Sequence, residues 1–178
     1  MIRVTTHGLS DAVQRLNSFN ESRLKRALRS AVMRTLKGAK KDAGTKVKQR
    51  YTIAAGKVTS SIKLKCSGLS GSMTSSGGRN KLPSFILRPK SRPKRPPAGG
   101  VYAQVVRGQG GQIPHAFIQK NGQPYERTTP RRFPIKRLTT VSNPGMLSNP
   151  HVAPFIVRKM EQRIGINVEH EVAAIGLF

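Results

Sequence analysis

Between Asp42 and Glu126 the sequence contains no acidic residue, although lysines and arginines recur throughout this stretch. The 178-residue chain has 33 Lys and Arg against 7 Asp and Glu, which gives a formal net charge of +26 at pH 7. Such an excess of one sign repels itself and destabilises a compact monomer unless it is neutralised. A neutralising partner would relieve this repulsion, so we expect a polyanion as partner. A plain solvated basic surface is the alternative.

Composition argues against several classes of protein. Apolar residues make up 36% of the chain, so the core must be lean. No run approaches the about 18 apolar residues of a transmembrane helix, and residues 1–13 lack the apolar run of a secretory signal peptide. The single Cys66 cannot form a disulfide framework or a multi-cysteine zinc site. We expect one soluble, intracellular domain spanning residues 1–178.

Both ends of the chain carry apolar residues at helical spacing. After a first short helix, a long helix should begin near Phe19, where Ser18 and Glu21 fit a capping box, and continue to about Arg50. Its apolar stripe is rich in alanine, which indicates close packing on another helix or a sheet. A ladder of apolar residues from Val152 onward predicts a C-terminal helix.

The middle of the chain alternates apolar and polar residues, as β-strands do. Residues 61–66 place Lys63 and Lys65 on an exposed face and Cys66 on the buried one, where it is a small hydrophobe rather than a nucleophile. Asn121 and Gly122 predict a hairpin turn. Further strands are predicted at residues 84–87, 101–107, 116–119, 125–128 and 133–136. The order predicts an α+β fold with N-terminal helices, one of them long, a small, mainly antiparallel sheet and a C-terminal helix packing on that sheet.

Two segments inserted in this sheet have a different composition. Residues 67–83 begin with nine Ser or Gly in twelve positions and predict a flexible loop. Residues 88–100, named here the basic arm, combine prolines with cations and predict an extended backbone. The cations of the arm are Arg88, Lys90, Arg92, Lys94 and Arg95.

The cations of the basic arm, together with Lys63 and Lys65, are the candidate contacts with nucleic acid or a neighbouring protein. An extended cationic arm can follow phosphates without reading bases. Two alternatives stay open for the arm: a loop that becomes ordered only on a protein partner, and a localisation signal. For the lysines of residues 61–66 the alternative is simple exposure to solvent.

Signals of catalysis are weak in this sequence. The histidines lack the helical spacing with a carboxylate that a zinc helix needs, and the middle of the chain has too few carboxylates for a two-metal nuclease site. There is no GxxxxGK[ST] phosphate-binding loop, and the Gly-rich residues 108–112 fit a hairpin loop better. We therefore expect no enzymatic activity, no cofactor and no metal site.

Residues 112–160 contain a series of short motifs in a fixed order: IPHAFI at 113–118, Asn-Gly at 121–122, Glu-Arg at 126–127, RFPI at 132–135 and PGML at 144–147. This series resembles the minor tail protein Z family of tailed phages, which has an IPGAFI-like strand, a Gly turn, an Arg and an R-x-P-I strand. His115 stands where the family commonly has Gly. The N-terminal helices fit the family as well, and residues 51–100 fit it loosely.

The resemblance implies a structural virion protein that completes the tail at its head-proximal end. Several related neck proteins form sixfold rings around the DNA channel, so the resemblance implies a homo-oligomer, a hexameric ring that joins tail to head. The implied partners are tail terminator, tail tube or neck proteins and phage DNA, bound without sequence specificity and without any membrane. The implied location is the neck of the virion, after assembly in the host cytoplasm.

A free-standing, sequence-nonspecific nucleic-acid-binding protein is the alternative function. It predicts a monomer or dimer whose affinity for DNA or RNA falls steeply with salt. An enzyme acting on nucleic acid is the least supported hypothesis, because clusters of carboxylates and histidines are missing from the sequence.

Overall fold

The computed structural model describes residues 21–95, 97 and 99–175, so the first short helix of the sequence prediction lies outside the described residues. The helices of the described part are α1 (Glu21–Arg50), α2 (Ala55–Thr59), α3 (Asn143–Leu147) and α4 (Ala153–Ala173). The strands are β1 (Ile62–Ser67), β2 (Ser70–Ser75), β3 (Arg79–Lys81), β4 (Ile86–Arg88), β5 (Val101–Val106), β6 (Gln109–Ile113), β7 (Ala116–Ile118), β8 (Pro124–Arg127), β9 (Ile135–Arg137) and β10 (Thr139–Ser142). The predicted α+β class is confirmed.

The two long helices, α1 and α4, lie against each other. The alanine-rich stripe of α1 is buried, with Ala31, Ala39 and Ala43 inaccessible to solvent, and these small side chains allow a close approach. Across the contact, Asn167 Nδ2 donates to Thr35 Oγ1 at 2.8 Å. The sequence predicts that the C-terminal helix packs on the sheet. In the structure, α4 packs chiefly on α1 instead. The physical reason is that α1 offers both an apolar stripe and polar partners along its length.

The strands form four small antiparallel sheets within the described residues: β1–β2, β3–β10, β4–β5–β6 and β7–β8–β9. The antiparallel pairing was predicted, but the strands do not join into a single sheet. They are three to six residues long, and most pair with the next strand along the chain, so each hairpin closes locally. The predicted Asn-Gly turn lies between β7 and β8, where Gly122 has a φ of 71°.

The prediction of a flexible loop over residues 67–83 was wrong. Its first part forms β2, which pairs with β1 so that Met73 lies opposite Leu64, and its second part contains β3. Leu64 and Met73 both pack against the main hydrophobic core, and Gly71 lies directly against α1. The hairpin therefore forms because α1 supplies a surface for it, which local composition does not reveal.

The core consists of two clusters of buried side chains. The larger one joins α1, α2, α3 and α4 and includes Val47, Val58, Met146 and Ile156. The smaller one lies among the sheets; its buried members are Leu82, Leu87, Val101, Ala116 and Ile118. Beyond the end of α1, the Thr52 N–H donates to the Val105 carbonyl at 2.9 Å, which fixes β5 to the helix. No helix in the part of the chain that the structure describes is long and apolar enough to cross a membrane.

Candidate nucleic-acid interface

The basic arm connects two strands that are neighbours in one sheet. It begins at the end of β4, where Arg88 lies opposite Tyr102, and it returns to β5 through Gly100. Gly100 has a φ of 82°, and a Cβ there would overlap the carbonyl oxygen of Ile113, so only glycine fits this return. Its N–H donates to the Pro97 carbonyl at 3.0 Å. The arm is thus a long loop with both ends fixed by the sheet.

All five predicted cations of the arm are at least partly exposed. None of their side chains forms a hydrogen bond or an ion pair with any residue that the structure describes. Elsewhere two of the scarce carboxylates are engaged with other cations: Glu171 pairs with Arg34 at 3.2 Å, and Asp42 pairs with Arg163 at 2.8 Å. The positive charge of the arm is therefore available to an external anion.

A cleft of about 1130 Å³ separates the basic arm from the β7–β8–β9 sheet; we name it the arm cleft. Cations line it from both sides. The arm contributes Arg92 and Lys94, and the sheet side contributes Lys120, Arg127 and Arg132. No carboxylate is among the described residues that line it, so an anion in the cleft would meet cations on two sides.

The β7 strand gives the cleft one aromatic wall. Ala116 and Ile118 point into the smaller hydrophobic cluster, and Phe117 between them lies on the opposite face and lines the cleft. The antiparallel register places Tyr125 beside Phe117, with ring centroids 6.4 Å apart. Arg127 lies over the Phe117 ring at 5.5 Å from its centroid, a cation–π contact.

The connection between β8 and β9 gives the cleft a second aromatic residue. Phe133 is 63% exposed, and the Arg132 guanidinium lies 5.7 Å from its ring centroid. Hydrogen bonds close this connection: the Thr128 hydroxyl donates to the Pro134 carbonyl at 3.2 Å, and the Thr129 hydroxyl donates to the Phe133 carbonyl at 3.3 Å. The backbone of Phe133 is therefore held in place, although its ring faces solvent.

The structure divides the predicted contact residues into separate places. Arg92 and Lys94 line the arm cleft, whereas Arg88, Lys90 and Arg95 lie on the arm without lining it. Lys63 and Lys65 are on β1, as predicted. This strand belongs to the separate β1–β2 sheet, and neither lysine lines the cleft.

Sequence reasoning missed the sheet side of the cleft. Lys120, Arg127, Arg132 and Phe133 were not among the predicted contacts, and aromatic residues make up only 5% of the whole chain. That average hides a local cluster. The run Arg-Arg-Phe at residues 131–133 places two cations next to an aromatic ring. This run is the signal that could have identified the sheet side of the cleft.

Within the described ranges, metal-ligating side chains are not brought together in a cluster. Residues 21–95, 97 and 99–175 contain no group of three His, Cys, Asp or Glu side chains that could hold a metal ion. Cys66 is half-buried rather than buried, and its thiol lies 3.7 Å from the Gly68 carbonyl oxygen.

Comparison with known proteins finds no match: no family model, no curated protein and no solved structure matches the chain. A functional proposal must therefore begin from the charge distribution, the basic arm and the arm cleft.

Proposed function

We propose that this chain is a structural, non-catalytic protein that binds nucleic acid without reading its sequence, and that it serves as a tail-completion subunit of a phage. In this role it forms a ring at the head-proximal end of the tail, around the DNA channel, and joins tail to head. The observation that carries the proposal is the basic arm, whose cations have no partner in the described chain.

Free cations on an exposed loop suit contact with phosphates. Each phosphate that they neutralise releases condensed counterions, which provides affinity that does not depend on base sequence. Contacts of this kind position a protein on the nucleic acid and carry no direct sequence information. A protein that surrounds moving DNA needs this property, because every sequence must pass it with similar affinity.

The motif series at residues 112–160 supports the phage assignment. The first motif and its turn fall on β7 and the β7–β8 connection, and the RFPI motif leads into β9. His115, where the resembled family commonly has Gly, has a φ of 59°, a left-handed conformation that Gly adopts most easily. The backbone at this position is thus one that glycine adopts easily, which is compatible with the resemblance.

A ring also suits the surface of α4. Val157 is 52% exposed and Ile166 is 66% exposed, which leaves apolar side chains for a neighbouring subunit. Rings use heterologous interfaces, in which different surfaces of two identical chains meet, and a protruding arm can reach such a neighbour. Bound DNA would offset the repulsion among subunits that each carry +26.

The test combines oligomeric mass with docking on tails. Light scattering should show that the purified chain assembles into an oligomer with the mass of a ring when tail tubes are present. The tubes come from the phage that encodes the chain. Electron microscopy should place the added density at the head-proximal end of those tubes. A chain that stays monomeric and never docks on tails would overturn the phage assignment.

A free-standing nucleic-acid-binding protein is the second candidate. The observation that favours it is that the arm cleft is formed entirely by one chain, so that binding would need no ring. This second function is supported if the monomer binds RNA tightly at physiological salt and does not bind tail tubes.

A further inference from the structure

We propose that the arm cleft binds a short stretch of single-stranded nucleic acid, with Phe133 stacking on a base and Arg92, Lys94 and Lys120 holding the flanking phosphates. The inference rests on the proposed function in one respect, because it takes nucleic acid as the partner. It goes further in naming the form of the strand and the site. Duplex binding by the cations of the basic arm does not require the cleft.

Charge complementarity indicates an anionic occupant. Arg92 and Lys94 approach the cleft from the arm, Lys120 and Arg127 approach it from the sheet, and no carboxylate of the described chain lines it. A strand with one phosphate per nucleotide can pass between these two rows and neutralise both. Its affinity would then fall steeply with salt.

The exposed ring of Phe133 distinguishes a nucleic acid from a simple polyanion. Cations alone would suffice to hold phosphates, yet this cleft also presents an aromatic ring that is 63% exposed and fixed through its backbone. Every base has a π-face, so that stacking on such a ring tolerates any sequence. The Arg132 guanidinium lies over one face of this ring, 5.7 Å from its centroid, and leaves the other face for a base.

The same ring favours a single strand over a duplex. In a duplex the bases are stacked on each other, and a protein ring reaches a base only where the strand is open. The cleft of about 1130 Å³ exceeds the roughly 300–1,000 Å³ of ordinary small-molecule pockets, so its size fits several linked nucleotides. Both DNA and RNA offer this chemistry of bases and phosphates.

The experiment measures binding of the full chain to dye-labelled 12-residue probes by fluorescence anisotropy at physiological salt. The probes are oligo-dT, oligo-rU, a DNA duplex and oligo-glutamate. We expect the single strands to bind more tightly than the duplex and the peptide. Comparison of oligo-dT with oligo-rU then identifies DNA, RNA or both as the source of the strand, and preferential binding of either supports the site.

The decisive variants change one exposed ring. Phe133→Ala and Phe133→Leu should both weaken single-strand binding by about fivefold or more while leaving duplex binding within about twofold, because only stacking is removed. Phe133→Tyr should bind as the unchanged chain does. Leu69→Ala is the matched control, because Leu69 is also an apolar side chain, 56% exposed, and lies outside the cleft. Circular dichroism verifies that each variant is folded.

Failure of this inference differs from failure of the proposed function. If the unchanged chain binds duplex but shows no preference for single strands, or if both Phe133→Ala and Phe133→Leu bind them normally, the inference is wrong and the proposed function stands. If oligo-glutamate binds as tightly as oligo-dT, the cleft is a site for an acidic protein segment and the inference is again wrong. If no nucleic acid binds, both proposals are overturned.

Discussion

Arg163 of α4 contacts Asp42 of α1 at two points, with Nη1 2.8 Å from Oδ2 and Nη2 3.1 Å from Oδ1. The guanidinium reaches the carboxylate across Gly38, where an added Cβ would overlap Nη1. A glycine inside a helix costs about 1 kcal/mol relative to alanine, and here it provides the space for an ion pair between the two long helices. One of the few carboxylates of the chain is thus used to join α1 to α4.

We expect Asp42→Asn to lower the free energy of unfolding by about 1–2 kcal/mol, because it removes a two-point, partly buried ion pair. Urea denaturation measures the change. Glu161→Gln, at an exposed position of α4, removes the same charge and should have little effect. If Asp42→Asn and Glu161→Gln give equal stabilities, the ion pair does not join the helices.

Gly71→Ala should destabilise the fold by about 1–3 kcal/mol through overpacking. Its Cβ would lie 2.6 Å from Val32 Cγ1 and 2.8 Å from Leu36 Cδ1, where β2 crosses α1. Gly78→Ala is the matched control, because nothing lies within 4 Å of an added Cβ there. Thermal unfolding measures the melting temperatures of the two variants, and Gly71→Ala should melt at the lower temperature. Equal melting temperatures would mean that β2 does not lie against α1 in solution.

His115 gives a prediction about backbone conformation. His115 has a φ of 59°, in the left-handed region. His115→Gly should therefore raise the free energy of unfolding by up to about 1 kcal/mol, because glycine relieves the strain of that conformation. A β-branched residue tolerates that region poorly, so His115→Val should lower stability by about 1–2 kcal/mol. Urea denaturation of both variants should show opposite signs, and a more stable His115→Val would contradict the assigned backbone.

Much of the fold could be predicted because the spacing of apolar residues and the turn residues are set by local backbone geometry. The alanine stripe of α1 repeats at helical spacing, and burying it requires a partner helix or sheet. In β1, alternation directs Lys63 and Lys65 away from the core because successive residues of a strand point to opposite faces. At residues 121–122, Asn-Gly predicts a tight turn, and Gly122 there has the positive φ that the prediction requires.

The features that could not be predicted depend on tertiary neighbours. The strand β2 has the composition of a linker and exists because Leu64 and α1 lie beside it. The arm cleft brings Arg92 and Arg132, which are far apart in the sequence, to one site because the β4–β5–β6 and β7–β8–β9 sheets share the smaller hydrophobic cluster. No local pattern encodes such a meeting, and so only the arm half of the cleft was identified.

The salt dependence of duplex binding tests whether the basic arm contacts phosphate. Replacing Arg92, Lys94 and Arg95 with Ser should reduce the slope of log affinity against log salt for duplex DNA by about 2.7, because each phosphate that is no longer neutralised lowers it by about 0.9. Replacing Lys63 and Lys65 with Ser should reduce it by about 1.8 if β1 takes part, and anisotropy titrations at several salt concentrations measure both slopes.

A control that removes the same amount of charge separates arm contact from general attraction. Lys37→Gln, Lys41→Gln and Arg158→Gln together remove three exposed cations from the helices, far along the sequence from the arm. If the arm binds phosphate, this triple variant changes the slope less than the arm variant does. An unchanged slope in the arm variant would show that the arm does not contact phosphate, since a direct phosphate contact cannot be removed without reducing counterion release.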